Sequence, residues 1–119
     1  MKFIAKVYEP MYDFNDKKYI RYIIPVKVSE IIERMHTNKS HLLMNQNIDN
    51  PLDGTILTVK VPFRYRRVMC NVKGRPIQSL QKDDEVEIVA DFKGVWNVGT
   101  YSGFSWTLSS SSTGSSMGF

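Results

Sequence analysis

The chain has 119 residues, 42% hydrophobic and 24% charged, with a net charge of +4. That is enough for one domain with a single modest core, and its one cysteine, Cys70, excludes an intramolecular disulfide or a cysteine-built zinc site. No apolar run approaches the roughly 18 residues of a membrane span, and the charged start MKFIAKVYEP has no signal-peptide core, so an intracellular protein is expected, in the cytoplasm of a host or bacterium or in a nucleus, neither secreted nor membrane-bound.

Lys2 to Glu9 alternates, with Phe3, Ala5 and Val7 on one face, and reads as a strand. A polar turn over residues 13–18 leads into a second aromatic and β-branched run, Tyr19 to Val26, so the two form an antiparallel hairpin, with Pro25 near its end. Residues 29–36 read as one short helix, capped by Ser29, with Glu30 and Glu33 early and Arg34 and His36 late, as the helix dipole favours. Ile31, Ile32 and Met35 give it an apolar side. Residues 37–51 read as a long polar connection anchored by Leu42, Leu43 and Met44.

Asp53-Gly54 signals a turn. Beyond it, Leu57, Val59, Val61, Phe63 and Tyr65 alternate with Thr58, Lys60, Pro62, Arg64 and Arg66, and the phase slips at Arg66-Arg67 before Val68, Cys70 and Val72. A β-bulge or a short turn accounts for the slip; either bends the chain at its most basic point. Lys73 to Pro76 reads as a turn. Val86, Ile88, Ala90 and Phe92 mark a new strand, and Gly94 to Val98 pairs with Gly103 to Leu108 in a last hairpin around Gly99-Thr100. The expected domain covers residues 1–108, and residues 109–119, rich in serine and glycine, read as a flexible tail. The sum is a mainly β fold: a small barrel of five to six antiparallel strands with one short helix. Closure removes edges that such aromatic strands could not leave exposed.

Residues 55–75 carry Lys60, Arg64, Arg66, Arg67, Lys73 and Arg75 with no carboxylate, and Phe63 and Tyr65 are set among them. Cations meet phosphates and flat rings meet unstacked bases, so this mixture suits a single nucleic-acid strand. Lys93, Trp96 and Tyr101, in and around the glycine-bearing last hairpin, extend the candidate set. The plainer reading is a solvated basic face with core-facing rings. Phe3, Phe63, Phe92 and Phe104 fall on apolar faces and read as core; Trp106 reads as core and Trp96 divides between core and surface. His36 and His41 read as surface or capping residues, and Asp83, Asp84, Glu85 and Glu87 as a solvated acidic face. No nucleophile is set beside a base and no phosphate-cradling loop is present, so neither an enzyme, a metal site nor a cofactor is expected.

The stretch from Ile77 to Ile88, with its leucine, polar turn, acidic residue and valine, resembles the approach to a strand common in OB-fold barrels, with Asp83-Asp84 where Gly-Asp is frequent. Phe92-Lys93-Gly94-Val95-Trp96 through Gly103-Phe104-Ser105-Trp106 resembles the closing hairpin of viral or phage-type single-stranded DNA-binding OB proteins. The resemblance covers residues 55–108. It implies a protein that coats single-stranded DNA, with RNA offering the same chemistry, in replication, recombination or repair, self-associating or meeting replication proteins. The tail resembles the recruitment arms of such proteins, which are acidic near the tip; this one has no acidic side chain. An SH3-like barrel fits the same strand pattern, and a β-barrel adaptor that docks a protein partner is the alternative function.

Overall fold

The computed structural model of the chain describes residues 1–114. Strands β1 (Lys2–Phe14) and β2 (Lys17–Ile23) form the expected hairpin, turning at Asn15 and Asp16, both at positive φ. Helix α1 (Val26–Lys39) follows, then a 3-10 turn (Ser40–Leu42), short strands β3 (Asn47–Asp49) and β4 (Leu52–Asp53), and β5 (Ile56–Val61). A small hairpin of β6 (Phe63–Arg64) and β7 (Arg67–Val68) comes next. Strand β8 (Asn71–Lys73), a 3-10 turn (Ile77–Ser79), and the long strands β9 (Glu85–Val98) and β10 (Tyr101–Ser112) complete the chain.

Five strands close a ring. β1 pairs antiparallel with β2 and β9, β2 with β5, and β9 with β10; β10 then meets β5 in parallel, with Thr107 opposite Lys60. The fold is mainly β, and the ring is compatible with a small OB-like barrel. Its strands run antiparallel as expected except along β10, which pairs in parallel with β3, β5 and β8. The inward faces fill the interior: Phe3, Ala5 and Val7; Ile20 and Tyr22; Leu57, Val59 and Val61; Val86, Ile88 and Ala90; Trp106 and Leu108. Each set alternates along its strand, because successive strand side chains point to opposite faces. Ile77 and Leu80, both buried, close the end where β5 finishes and β9 begins. α1 lies at the opposite end, with Ile32 and His36 buried and Val28 and Met35 packed against the core.

Several expectations are corrected. α1 starts at Val26, directly after Pro25, and has no side-chain cap; Ser29 is buried inside its first turns, where its hydroxyl donates to the Val26 carbonyl at 2.6 Å. The preset φ of Pro25 (−58°) and its lack of an N–H suit the residue just before a helix, which explains the earlier start. Ile31 is exposed rather than on the apolar side. Of Leu42 to Met44 only Leu43 is half-buried; Leu42 and Met44 are exposed, Met44 at 81%, and the loop is also held by hydrogen bonds from the Met44 N–H to Asn97 Oδ1 and from Asn97 Nδ2 to the Leu42 carbonyl. Ser109 to Ser112 belong to β10. Ser110–Ser112 pair with β9 on one side and β8 on the other, and Ser111 is buried, because a small side chain fits where two ladders meet. Thr113 is buried beyond the strand, and the end of the expected tail, residues 115–119, lies outside the described residues.

The phase slip is a short turn. Tyr65 and Arg66 occupy the two central positions of the β6–β7 hairpin at φ 54° and 64°, so Phe63 and Tyr65 leave the barrel face and are exposed. Asp83, where the resembled family often has glycine, sits at φ 76°, a conformation asparagine and aspartate tolerate better than most. No helix among the described residues is long and apolar enough to cross a membrane.

Candidate nucleic-acid interface

A groove of about 720 Å3 crosses the outer faces of β2 and β5, between the β1–β2 hairpin and the β9–β10 hairpin. Strand alternation builds it. With Ile20 and Tyr22 inside, Lys17, Tyr19 and Arg21 of β2 point outward; with Leu57, Val59 and Val61 inside, so do Thr58 and Lys60 of β5. β1 adds Tyr12 and Phe14, and β9 adds Trp96 and Val98.

Tyr12 and Tyr19 are cross-strand partners whose rings stack 5.9 Å apart. Their hydroxyls are held above the usual tyrosine range, chiefly by burial, so both remain neutral donors. Phe14 is 61% exposed near the hairpin tip. Trp96 stands cross-strand to Gly103, and its ring lies so close that a Cβ on Gly103 would meet Trp96 Cζ2 at 2.6 Å. The ring is half-buried, with glycine as its bed. Gly94, at φ 98°, belongs to the bulge that bends this hairpin, between Ser105 and Trp106 on the partner strand.

Lys60 stands opposite Tyr19 on β2, and Lys17, two residues before Tyr19, is its charged neighbour on the same face. Burial first, and then the Lys17 charge, lower the Lys60 pKa from its ordinary value. Neither ammonium has a carboxylate in salt-bridge range among the described residues. Two neighbouring cations without a counter-ion attract an anion placed between them. Arg21 pairs with Glu9 at 3.3 Å, and Asp49 on β3 contributes a negative charge to the groove wall.

The sequence-predicted residues divide among several places. Lys60 and Trp96 line the groove. Tyr101, 55% exposed, is paired with Val98 and extends the same hairpin face. Lys93 is exposed at the bulge. Arg64, Tyr65, Arg66 and Arg67 form an exposed prong that leaves the barrel just after Lys60; Lys18 stands 4.9 Å over the Phe63 ring at its base. Lys73 and Arg75 lie elsewhere. Lys73 pairs with Ser112, nine residues along β10 from the partner of Trp96, roughly 30 Å away at strand rise. Arg75 is committed to Asp84 at 2.8 Å and to the Ser79 carbonyl at 2.7 Å. Tyr12, Phe14, Lys17, Tyr19 and Arg21 were not singled out, although an aromatic and basic alternation around the first turn carries the same signature as residues 60–67.

His36 is neither at the surface nor a cap. It is 5% exposed, stacked on Phe104 with ring centroids 4.0 Å apart, and its Nε2 accepts a 2.9 Å hydrogen bond from Trp106 Nε1. Because an indole N–H only donates, this imidazole is neutral with its proton on Nδ1. Burial lowers its pKa to about 4, partly offset by the Asn50 side chain. Phe63 is not core, being 37% exposed, whereas Phe104 and Trp106 are buried and Phe92 packs partly buried against them. In the acidic stretch, Asp84 pairs with Arg75, and Glu87 with Lys2 at 3.6 Å. Among the described residues no group of three or more His, Cys, Asp or Glu side chains could hold a metal ion.

Searches against protein-family models, curated proteins and solved structures return no match to this chain.

Proposed function

We propose that the groove binds single-stranded nucleic acid, DNA in the first instance, and that the protein coats or protects exposed strands during replication, recombination or repair. The observation that carries this reading is the Lys17–Lys60 pair set among Tyr12, Tyr19, Phe14 and Trp96. The ammonium groups hold backbone phosphate, and the rings offer faces on which any base can stack. The face between these two hairpins is also where OB-type barrels take oligonucleotides. Tyr101 lengthens the stacking surface, and the Arg64–Arg67 prong and Lys93 supply further phosphate contacts. Lys73 and Arg75 fall outside this path. No bond is broken; ordering the strand is the whole action, and no cofactor is required.

Exposed Phe14, Val98 and Tyr101 support a second reading, an adaptor surface for a protein partner. Salt separates the two. Fluorescence anisotropy with labelled oligothymidine at two salt concentrations should show affinity falling steeply with salt, with intrinsic tryptophan fluorescence quenched on binding. No binding at low salt overturns the nucleic-acid reading.

A further inference from the structure

We propose that Asp49 makes one position of the groove a guanine-preferring site, its carboxylate taking the N1–H and the N2 amino group of a base seated beside Trp96. This rests on the strand-binding reading of the groove and adds one discriminating position to a surface that otherwise reads no sequence.

Gly103 brings the parts together. On β10 it pairs with Trp96 of β9 on one side and with Asp49 of β3 on the other. The two neighbours stand so close over it that a Cβ there would meet the Asp49 carbonyl and Trp96 Cζ2 at 2.6 Å each. Both residues line the groove, and among the described residues no other aromatic ring packs on Trp96. The Asp49 carboxylate also acts on the stacked tyrosines. After burial, its charge is what raises the Tyr19 hydroxyl pKa, and it adds to the rise at Tyr12. A base stacked on the Trp96 ring therefore has a carboxylate at its edge, with two neutral hydroxyl donors near that carboxylate.

Asp49 is exposed, and although Lys17, Arg21 and Lys60 line the same groove, it forms an ion pair with none of them. A carboxylate repels phosphate, and along a DNA strand neither the phosphates nor the internal sugars carry a hydrogen-bond donor. What it can hold is the edge of a base. Adenine and cytosine offer it one amino group, and thymine one N–H flanked by two carbonyls. Guanine alone sets two donors side by side to match the two carboxylate oxygens, the geometry that makes arginine–carboxylate pairs bidentate. Its O6, next to N1–H, is left for a donor such as a hydroxyl of the Tyr12–Tyr19 pair.

The test measures the affinity of the full chain for three labelled dodecamers: oligothymidine, the same strand with one central deoxyguanosine, and the same with deoxyinosine, which lacks only the N2 amino group. A single guanine can slide into the site because the rest of the groove reads no sequence. Wild type should bind the guanine strand on the order of ten-fold more tightly than oligothymidine, and deoxyinosine should lose most of that gain. Asp49→Asn keeps the size of the side chain but replaces one acceptor by a donor, and Asp49→Ala removes both; melting curves check that each is folded. Both variants should bind oligothymidine more tightly than wild type, having lost a negative charge, and should show no preference for guanine. Equal wild-type affinity for the guanine and thymine strands, equal affinity for the guanine and inosine strands, or a preference preserved in the folded variants overturns the guanine site while leaving the groove standing. Failure of wild type to bind any of the three overturns the groove reading, and the guanine site with it.

Discussion

His36 shows how one side chain ties the core to the floor of the groove. Its Nε2 accepts from Trp106, a core residue that borders the groove, while its ring stacks on Phe104, which the groove shares with a cleft beside α1. Protonation would set an N–H against an N–H. The folded chain holds the group neutral to about pH 4, whereas its ordinary value is 6.5. As pH falls through that window the unfolded chain gains a proton that the folded chain refuses, so stability is lost progressively from pH 6.5 to 4. The loss attributable to His36 should be about 3 kcal/mol. Urea unfolding at pH 7 and pH 4, compared with His36→Gln, which keeps an acceptor for Trp106 but cannot titrate, checks this; equal pH slopes in the two proteins would remove His36 from the account. Trp96 is the second residue on which much turns. Trp96→Ala should weaken oligonucleotide binding by about 1–3 kcal/mol. Its stability cost should stay below the roughly 3–5 kcal/mol of a fully buried tryptophan, because the ring is only half-buried. Gly103→Ala should reproduce the binding loss with Trp96 still present, since the new Cβ would meet both Trp96 and the Asp49 carbonyl at 2.6 Å. Anisotropy and melting on the two variants distinguish lost contact from lost fold.

Among the elements, the β6–β7 prong is the one whose local cost is plainest. Its central positions hold Tyr65 and Arg66 in the left-handed region, where asparagine and glycine are favoured. Replacing Tyr65-Arg66 by Asn-Gly should raise stability by about 1 kcal/mol or more, since left-handed backbone is costly for branched or bulky side chains. The same change should lower oligonucleotide affinity, because it removes a ring and a cation from an exposed tip. Alanine at Arg64, Arg66 and Arg67, all exposed, should leave melting nearly unchanged. If these residues touch phosphate, each should flatten the log–log salt slope by roughly one unit. A slope equal to that of wild type would confine the strand to the groove. For Lys17→Ala and Lys60→Ala the same flattening is expected, and there it tests the groove itself.

On the scale of the whole molecule, β10 decides closure. It pairs with β9 along its length, meets β5 at Thr107, and carries β3 and β8 at its two ends. Its serine-rich end is part of that arrangement. The backbone of Ser110–Ser112 is shared between two ladders, and the Thr113 hydroxyl accepts from the Arg75 N–H at 2.7 Å while the Thr113 N–H donates to the Lys73 carbonyl at 3.0 Å. A chain ending at Leu108 should therefore lose several kcal/mol of stability, at roughly 1 kcal/mol for each lost backbone hydrogen bond. Circular dichroism melting of that truncation provides the check; an unchanged melt would return residues 109–114 to the status of a tail.

Strand periodicity was legible in the sequence because it is a local property. The alternations Phe3-Ala5-Val7, Leu57-Val59-Val61 and Val86-Ile88-Ala90 name the core residues directly, and the two long hairpins follow from turn chemistry at Asn15-Asp16 and Gly99-Thr100. What pairs with what across the ring was not local. Serines form a strand only because β8 and β9 offer ladders on both sides. His36 lies in an outwardly polar helix, and only the docking of α1 on Phe104 and Trp106 buries it. The candidate site shows the same division. Lys60 and Trp96 stand in sequence neighbourhoods rich in charge and rings, which drew attention to them. The first hairpin joins them across the groove because the barrel's curvature brings β1 and β2 alongside β5 and β9. Contact between residues so far apart in the chain is set by closure of the sheet, which no window of sequence contains.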